Sequence, residues 1–140
     1  MQKLKKNGQA STEYLIVIGI SLLLLTPIIL IGNNALVDLK HTSDSVVAQD
    51  AVDQIKEMSQ IVYAQGSPAK MTRKVKFPGN IISTTVSDQT IVIRLSYKSL
   101  STDRHATMDF NVSGSLPTTS GTHKICVEAI DYGVNITETP

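Results

Sequence analysis

The chain has 140 residues, room for one domain and an appendage. Charged residues make up 18% and hydrophobic residues 41%, a globular rather than disordered balance. A formal charge of +1, two Phe, four Tyr and no Trp offer a nucleic acid neither a basic surface nor stacking platforms, and the single Cys126 excludes an intrachain disulfide framework.

Residues 1–8 form a short basic leader containing Lys3, Lys5 and Lys6. From Tyr14 to Val37 there are 24 residues without a charge, dense in Leu and Ile. As a helix they span about 36 Å, against roughly 30 Å of bilayer hydrocarbon. Positive flanks stay on the cytoplasmic side, which predicts an internal N-terminus and export of the bulk of the chain. A secretory signal peptide would have a shorter apolar region, about 7–15 residues, ending in a small-x-small site. Ile31-Gly32-Asn33-Asn34 supplies no such site. The pattern is that of a retained membrane helix.

Helical periodicity continues beyond the apolar run and predicts one long helix over residues 9–63. Leu36, Leu39, Ser43, Val47, Ala51, Ile55, Met58 and Val62 fall on one stripe, while Asp44, Gln49, Asp53, Lys56 and Gln60 lie off it. Gly66-Ser67-Pro68 stops the helix. Inside it, Pro27 cannot donate a backbone bond to the Leu23 carbonyl, so a kink is expected there. Gly19 is a position where another helix could approach closely.

The remainder, residues 64–140, switches to a period of two. Ile91, Ile93, Leu95 and Tyr97 alternate with polar neighbours and with Val92, and Ala106, Met108, Phe110 and Val112 do likewise with Thr107, Asp109 and Asn111. Weaker strands are expected at Lys74–Phe77, Ile81–Val86, His123–Ile130 and Val134–Ile136. Pro78-Gly79-Asn80, Ser87-Asp88 and Tyr132-Gly133 read as turns, and Gly114–Gly121 as a polar loop. The expected fold class is α+β: a long N-terminal hydrophobic helix followed by a small antiparallel β-sheet head, whose apolar face packs on the upper helix.

The most informative stretch is Lys5-Lys6-Asn7-Gly8-Gln9-Ala10-Ser11-Thr12-Glu13-Tyr14-Leu15. Glu13 stands at the mouth of an apolar helix. Taken alone, it suits helix capping, with Ser11 or Thr12 as the cap and the carboxylate favoured by about 0.3–1 kcal/mol in the first turn. Taken together, Lys-Lys-x-Gly-Gln-x-Ser-x-Glu-Tyr resembles the class III signal peptide of euryarchaeal type IV-like pilins. The resemblance covers roughly the first fifteen residues and extends loosely through the apolar helix.

The resemblance implies cleavage by a membrane prepilin peptidase between Gly8 and Gln9, with Lys5, Lys6 and Ser11 part of the processing motif. It implies a single-pass membrane precursor that becomes a homo-oligomeric helical filament outside the cell, an adhesive pilus that contacts surfaces or other cells. Glu13 would then pair with the new amine of Gln9 on a neighbouring subunit and set the register. Opposite charges at 4 Å gain about 4 kcal/mol at an effective dielectric of 20, less their desolvation. Loss of the leader lysines takes Lys+Arg from 13 to 10 against 12 Asp+Glu, and the formal balance from +1 to −2.

Asn111-Val112-Ser113 and Asn135-Ile136-Thr137 are N-glycosylation sequons on the portion expected to be exported. His41, His105 and His123 lack paired metal-ligand spacing. Cys126, between Ile125 and Val127, reads as a buried strand residue, and Asp103-Arg104-His105 as a solvated polar turn. Lys70, Arg73, Lys74 and Lys76 read as a solvated face, with a surface contact as the alternative. No catalytic constellation can be assembled, so neither enzyme activity nor a cofactor or metal is expected. Two alternatives share the apolar helix: a membrane-anchored extracellular binding protein, and an archaellin-like motility filament subunit.

Overall fold

A computed structural model describes residues 3–140, with side chains from residue 10 onward. A single helix, α1 (Lys3–Gln65), is followed by seven strands: β1 (Lys70–Phe77), β2 (Ile81–Ser87), β3 (Thr90–Tyr97), β4 (Leu100–Thr107), β5 (Asn111–Gly114), β6 (Gly121–Ile130) and β7 (Gly133–Thr139). The α+β class expected from sequence is the one observed. Two compact units divide the chain, residues 1–40 and residues 41–140. The second half of α1 therefore belongs with the strands.

In the second unit, Ala48, Ala51, Val52, Ile55, Met58 and Val62 form the buried stripe of α1 and join one core with Val75, Phe77, Ile91, Ile93, Leu95, Ile125, Val127, Val134 and Ile136. The spacing of these helical residues at three and four keeps them on one face. The stripe expected from sequence is correct from Ala51 to Val62. Before that it drifts: Leu36, Leu39 and Ser43 are exposed, and Ser45 and Ala48 are buried instead. At the other end Gly66 adopts φ 74° and its N–H donates to the carbonyls of Val62 and Tyr63, both at 3.1 Å. Glycine takes this left-handed conformation without a Cβ penalty, which closes the helix.

The strands make two sheets rather than one. The first has the order β1-β6-β7-β5, the second β2-β3-β4. All pairings are antiparallel except β5 with β7. That parallel pair depends on two glycines. A Cβ at Gly114 would lie 1.8 Å from the Ile136 carbonyl oxygen, and one at Gly133 would lie 2.0 Å from that of Asn111. No side chain fits at either position.

The continuous strand expected through residues 106–112 is broken. Its first half ends β4, where the ladder to β3 closes at Thr90↔Thr107. The chain then wraps the β2–β3 turn, with Met108 N–H donating to Gln89 O at 2.8 Å and Val112 N–H to Asp88 O at 2.5 Å. Met108 and Phe110 are still buried, and Phe110 stacks on Tyr63 with ring centroids 4.2 Å apart. Alternate burial is thus satisfied by a crossing between sheets, which periodicity cannot distinguish from a strand.

Asp103-Arg104-His105 is not a turn but the middle of β4. Arg94 and Asp103 face each other across the ladder and form a two-pronged ion pair, with Nε–Oδ1 and Nη2–Oδ2 both at 2.7 Å. The real turn lies at Lys98, with φ 52°. Cys126 is half-buried, on the face of β6 opposite to the buried Ile125 and Val127.

Candidate assembly segment and modification sites

The N-terminal motif is helical throughout its described length. Because α1 starts at Lys3, the backbone of Lys5, Lys6, Gly8 and Gln9 is helical, rather than the helix beginning at Gln9. Side chains of these four residues lie outside those described. A glycine inside a helix lowers its stability by roughly 1 kcal/mol relative to alanine, so the Gly8–Gln9 bond lies at a locally weakened point of the helix. Ser11, Thr12 and Glu13 lie within the helix and not at its start. The capping explanation of Glu13 therefore fails for the full chain. Counted from Lys3, Glu13 is the eleventh helical residue; counted from Gln9 it is the fifth.

Every residue from 10 to 40 is exposed. Among them are Tyr14, Leu15, Ile16, Leu22, Leu23, Leu25, Ile28, Leu30 and Ile31, which surround the helix rather than line one side. The described helix is long and apolar enough to cross a membrane, and none of its apolar window is buried. Two hydroxyls in the apolar stretch are satisfied internally: Ser21 donates to Val17 O at 2.8 Å and Thr26 to Leu22 O at 2.9 Å. Such back-bonding lets polar side chains sit in an apolar medium without an orphan donor. The helix assignment runs unbroken through Pro27. A Cβ at Gly19 would meet nothing within 4 Å, so this chain itself does not require glycine there.

The two sequons, separate in sequence, are brought together. Parallel pairing sets Asn111 opposite Gly133 and Ser113 opposite Asn135. Val112, Val134 and Ile136 are buried, so Asn111, Ser113, Asn135 and Thr137 share the outer face of the sheet. Asn111 is exposed on β5, next to a Gly133 that has no side chain. Asn135 is half-buried on β7, between β5 and β6, and its Oδ1 accepts a long 3.5 Å hydrogen bond from the Ser113 hydroxyl. Sequence alone marks the two sites as equivalent; the register makes them different.

The basic cluster after the helix is only partly free. Lys70 pairs with Glu128 at 3.0 Å and Arg73 with Glu57 at 3.2 Å. Glu128 holds the Lys70 ammonium above its usual pKa through their hydrogen bond. Asp103 is held below the usual carboxylate range by its hydrogen bond from Arg94. Among the described residues no three His, Cys, Asp or Glu side chains converge as a metal site.

No protein-family model, curated protein or solved structure matches the chain.

Proposed function

We propose that the chain is the precursor of an archaeal type IV-like pilus subunit, cut by a prepilin peptidase between Gly8 and Gln9 and polymerised into an adhesive surface filament. The observation that carries this reading is one juxtaposition. The Lys5-Lys6-x-Gly8-Gln9-x-Ser11-x-Glu13-Tyr14 motif runs directly into a stretch of α1, Tyr14 to Val37, that is apolar on all sides and buries none of its side chains. A helix of that kind needs a bilayer or other copies of itself as its surroundings. Lipid is already as apolar as the helix, so leaving it for a filament gains by close packing and not by hydrophobic burial.

Cleavage serves two ends in this scheme. It removes Lys3, Lys5 and Lys6, each of which would cost roughly 2.5–3.5 kcal/mol to draw into the bilayer. It also moves the positive end of the helix about two turns closer to Glu13. The carboxylate then stands beside a new terminal amine and the first free N–H groups, where a neighbouring subunit's cation or helix end can engage it. On the outer face of the β unit, Asn111 is the better glycan acceptor, since Asn135 is half-buried and bonded to Ser113.

Mass spectrometry of filaments sheared from cells tests the reading. Gln9 is expected as the first residue of a chain found along the full filament length. A surface-located protein that retains residues 1–8, or a trimmed protein present only as solitary membrane molecules, would overturn it.

A further inference from the structure

The second unit carries two complementary charged surfaces with no partner for each other within the chain. On the exposed side of α1, Val46, Asp50, Asp53, Glu57 and Gln60 form one stripe without a cation. Glu57 is engaged by Arg73, but Asp50 and Asp53 accept hydrogen bonds only from the neutral amides of Gln54 and Gln49, at 2.7 and 3.0 Å.

The opposing surface lies on the outer side of the four-stranded sheet. Lys74 on β1 and Lys124 on β6 are direct register partners, both exposed, with Lys76 beside them paired to Thr122. Like charges opposite each other weaken a ladder. Neither Lys74 nor Lys124 has an ion pair or hydrogen bond among the described side chains. The same two lysines line an open cleft of about 350 Å³ with Thr122, His123, Glu138, Thr139 and Pro140. The Glu138 carboxylate at its edge is bonded to His123 Nδ1 at 2.6 Å and makes no ion pair with either lysine. Lys74 and Lys124 therefore present two ammonium groups, neither in an ion pair among the described residues, to a visitor bearing carboxylates.

We propose that this cleft receives the Asp50–Asp53 stripe of a second copy of the chain. The inference rests on the filament reading and deepens it. The two patches differ from each other, so they can pair head-to-tail, the arrangement that propagates into an open helical assembly. Exposed ion pairs contribute little binding energy individually. Their role is to fix the register of one β unit against the next and to exclude mispaired arrangements, while the apolar helices hold the subunits together.

Filaments assembled from a mixture of isotopically light and heavy full-length chains, treated with a zero-length carbodiimide, provide the test. Mixed-label cross-links joining Asp50 or Asp53 to Lys74 or Lys124 are expected. The pair of substitutions Asp50→Lys and Asp53→Lys should lower filament yield at low salt by about tenfold, and Lys74→Glu with Lys124→Glu should do the same. All four together should return the yield to within about twofold of the parent. Thermal unfolding of each variant in detergent shows that the β unit is intact. Filaments without these cross-links, or a fourfold variant that folds but does not recover, would overturn the docking and leave the filament reading standing. A parent chain that forms no filaments would overturn both.

Discussion

Between residues 10 and 40 the helix buries nothing, whereas between residues 45 and 62 it carries a continuous buried stripe. The chemistry of the two stretches explains the contrast. In the upper one, Ala48, Val52, Ile55 and Met58 alternate with Asp50, Asp53 and Glu57, so one side faces the strands and the other faces water. In the lower one, Leu and Ile surround the axis, and the compact unit that contains it holds no strand to cover them. An amphipathic helix can be satisfied by its own chain. A helix apolar on all sides cannot, and the described residues of this chain leave it uncovered.

The contrast is broken most severely by a substitution in the lower stretch that leaves the upper one alone. Glu13→Val is expected to abolish filaments, with at least about a tenfold loss in sheared yield. Membrane insertion and the thermal unfolding of the β unit should be unchanged. Normal filaments would remove the role assigned to Glu13. The mirror experiment strikes the upper unit. Gly133→Val places a side chain against the Asn111 carbonyl and should destabilise that unit by on the order of 3 kcal/mol or more. Ile55→Ala should cost about 2–5 kcal/mol through the cavity it leaves. Leu23→Ala, by comparison, should change unfolding of the detergent-solubilised chain by less than about 0.5 kcal/mol.

Smaller effects sharpen the picture within the β unit. Asn111→Gln is expected to remove most of any glycan mass, and Asn135→Gln little of it, by intact-mass measurement. The reverse ranking would contradict the register argument. Smallest is the contribution of Arg94–Asp103. Asp103 has a depressed folded pKa, so its stabilising effect is present above the ordinary carboxylate pKa and disappears as pH falls through the folded value. The melting temperatures of the parent and Asp103→Asn should differ slightly at neutral pH and converge in acid.

The long helix, its apolar half and its glycine stop could be read from periodicity and charge alone, as could most of β2, β3 and β6, the second half of β1 and Val134–Ile136 of β7. What escaped were features decided by partners distant in sequence. Asp103, Arg104 and His105 have turn-like composition, yet they form a strand because the Arg94 fork and the β3 ladder hold them extended. Met108 and Phe110 have strand-like alternation, yet they are drawn around the Asp88–Gln89 turn. The side-by-side arrangement of the sequons follows from Ser113 pairing with Asn135, 22 residues on, and the cleft from Lys74 pairing with Lys124, 50 residues on, which no local pattern encodes. The proposed processing motif could be quoted from sequence because it is contiguous. The charged surfaces were not, because Lys74 and Lys124 meet only once the sheet has formed.

The strand order also dictates a sequence of maturation. The β2–β3–β4 meander requires only residues 81–107 and can zip as soon as the ribosome has delivered them. β1 is made before the meander but finds its neighbour β6 only after it, and β5 has no sheet partner other than β7, the final strand. Half of the β unit therefore stays open until β7 has been made, and a polypeptide cut short before Gly133 would strand β5 with its glycine-shaped slot unfilled.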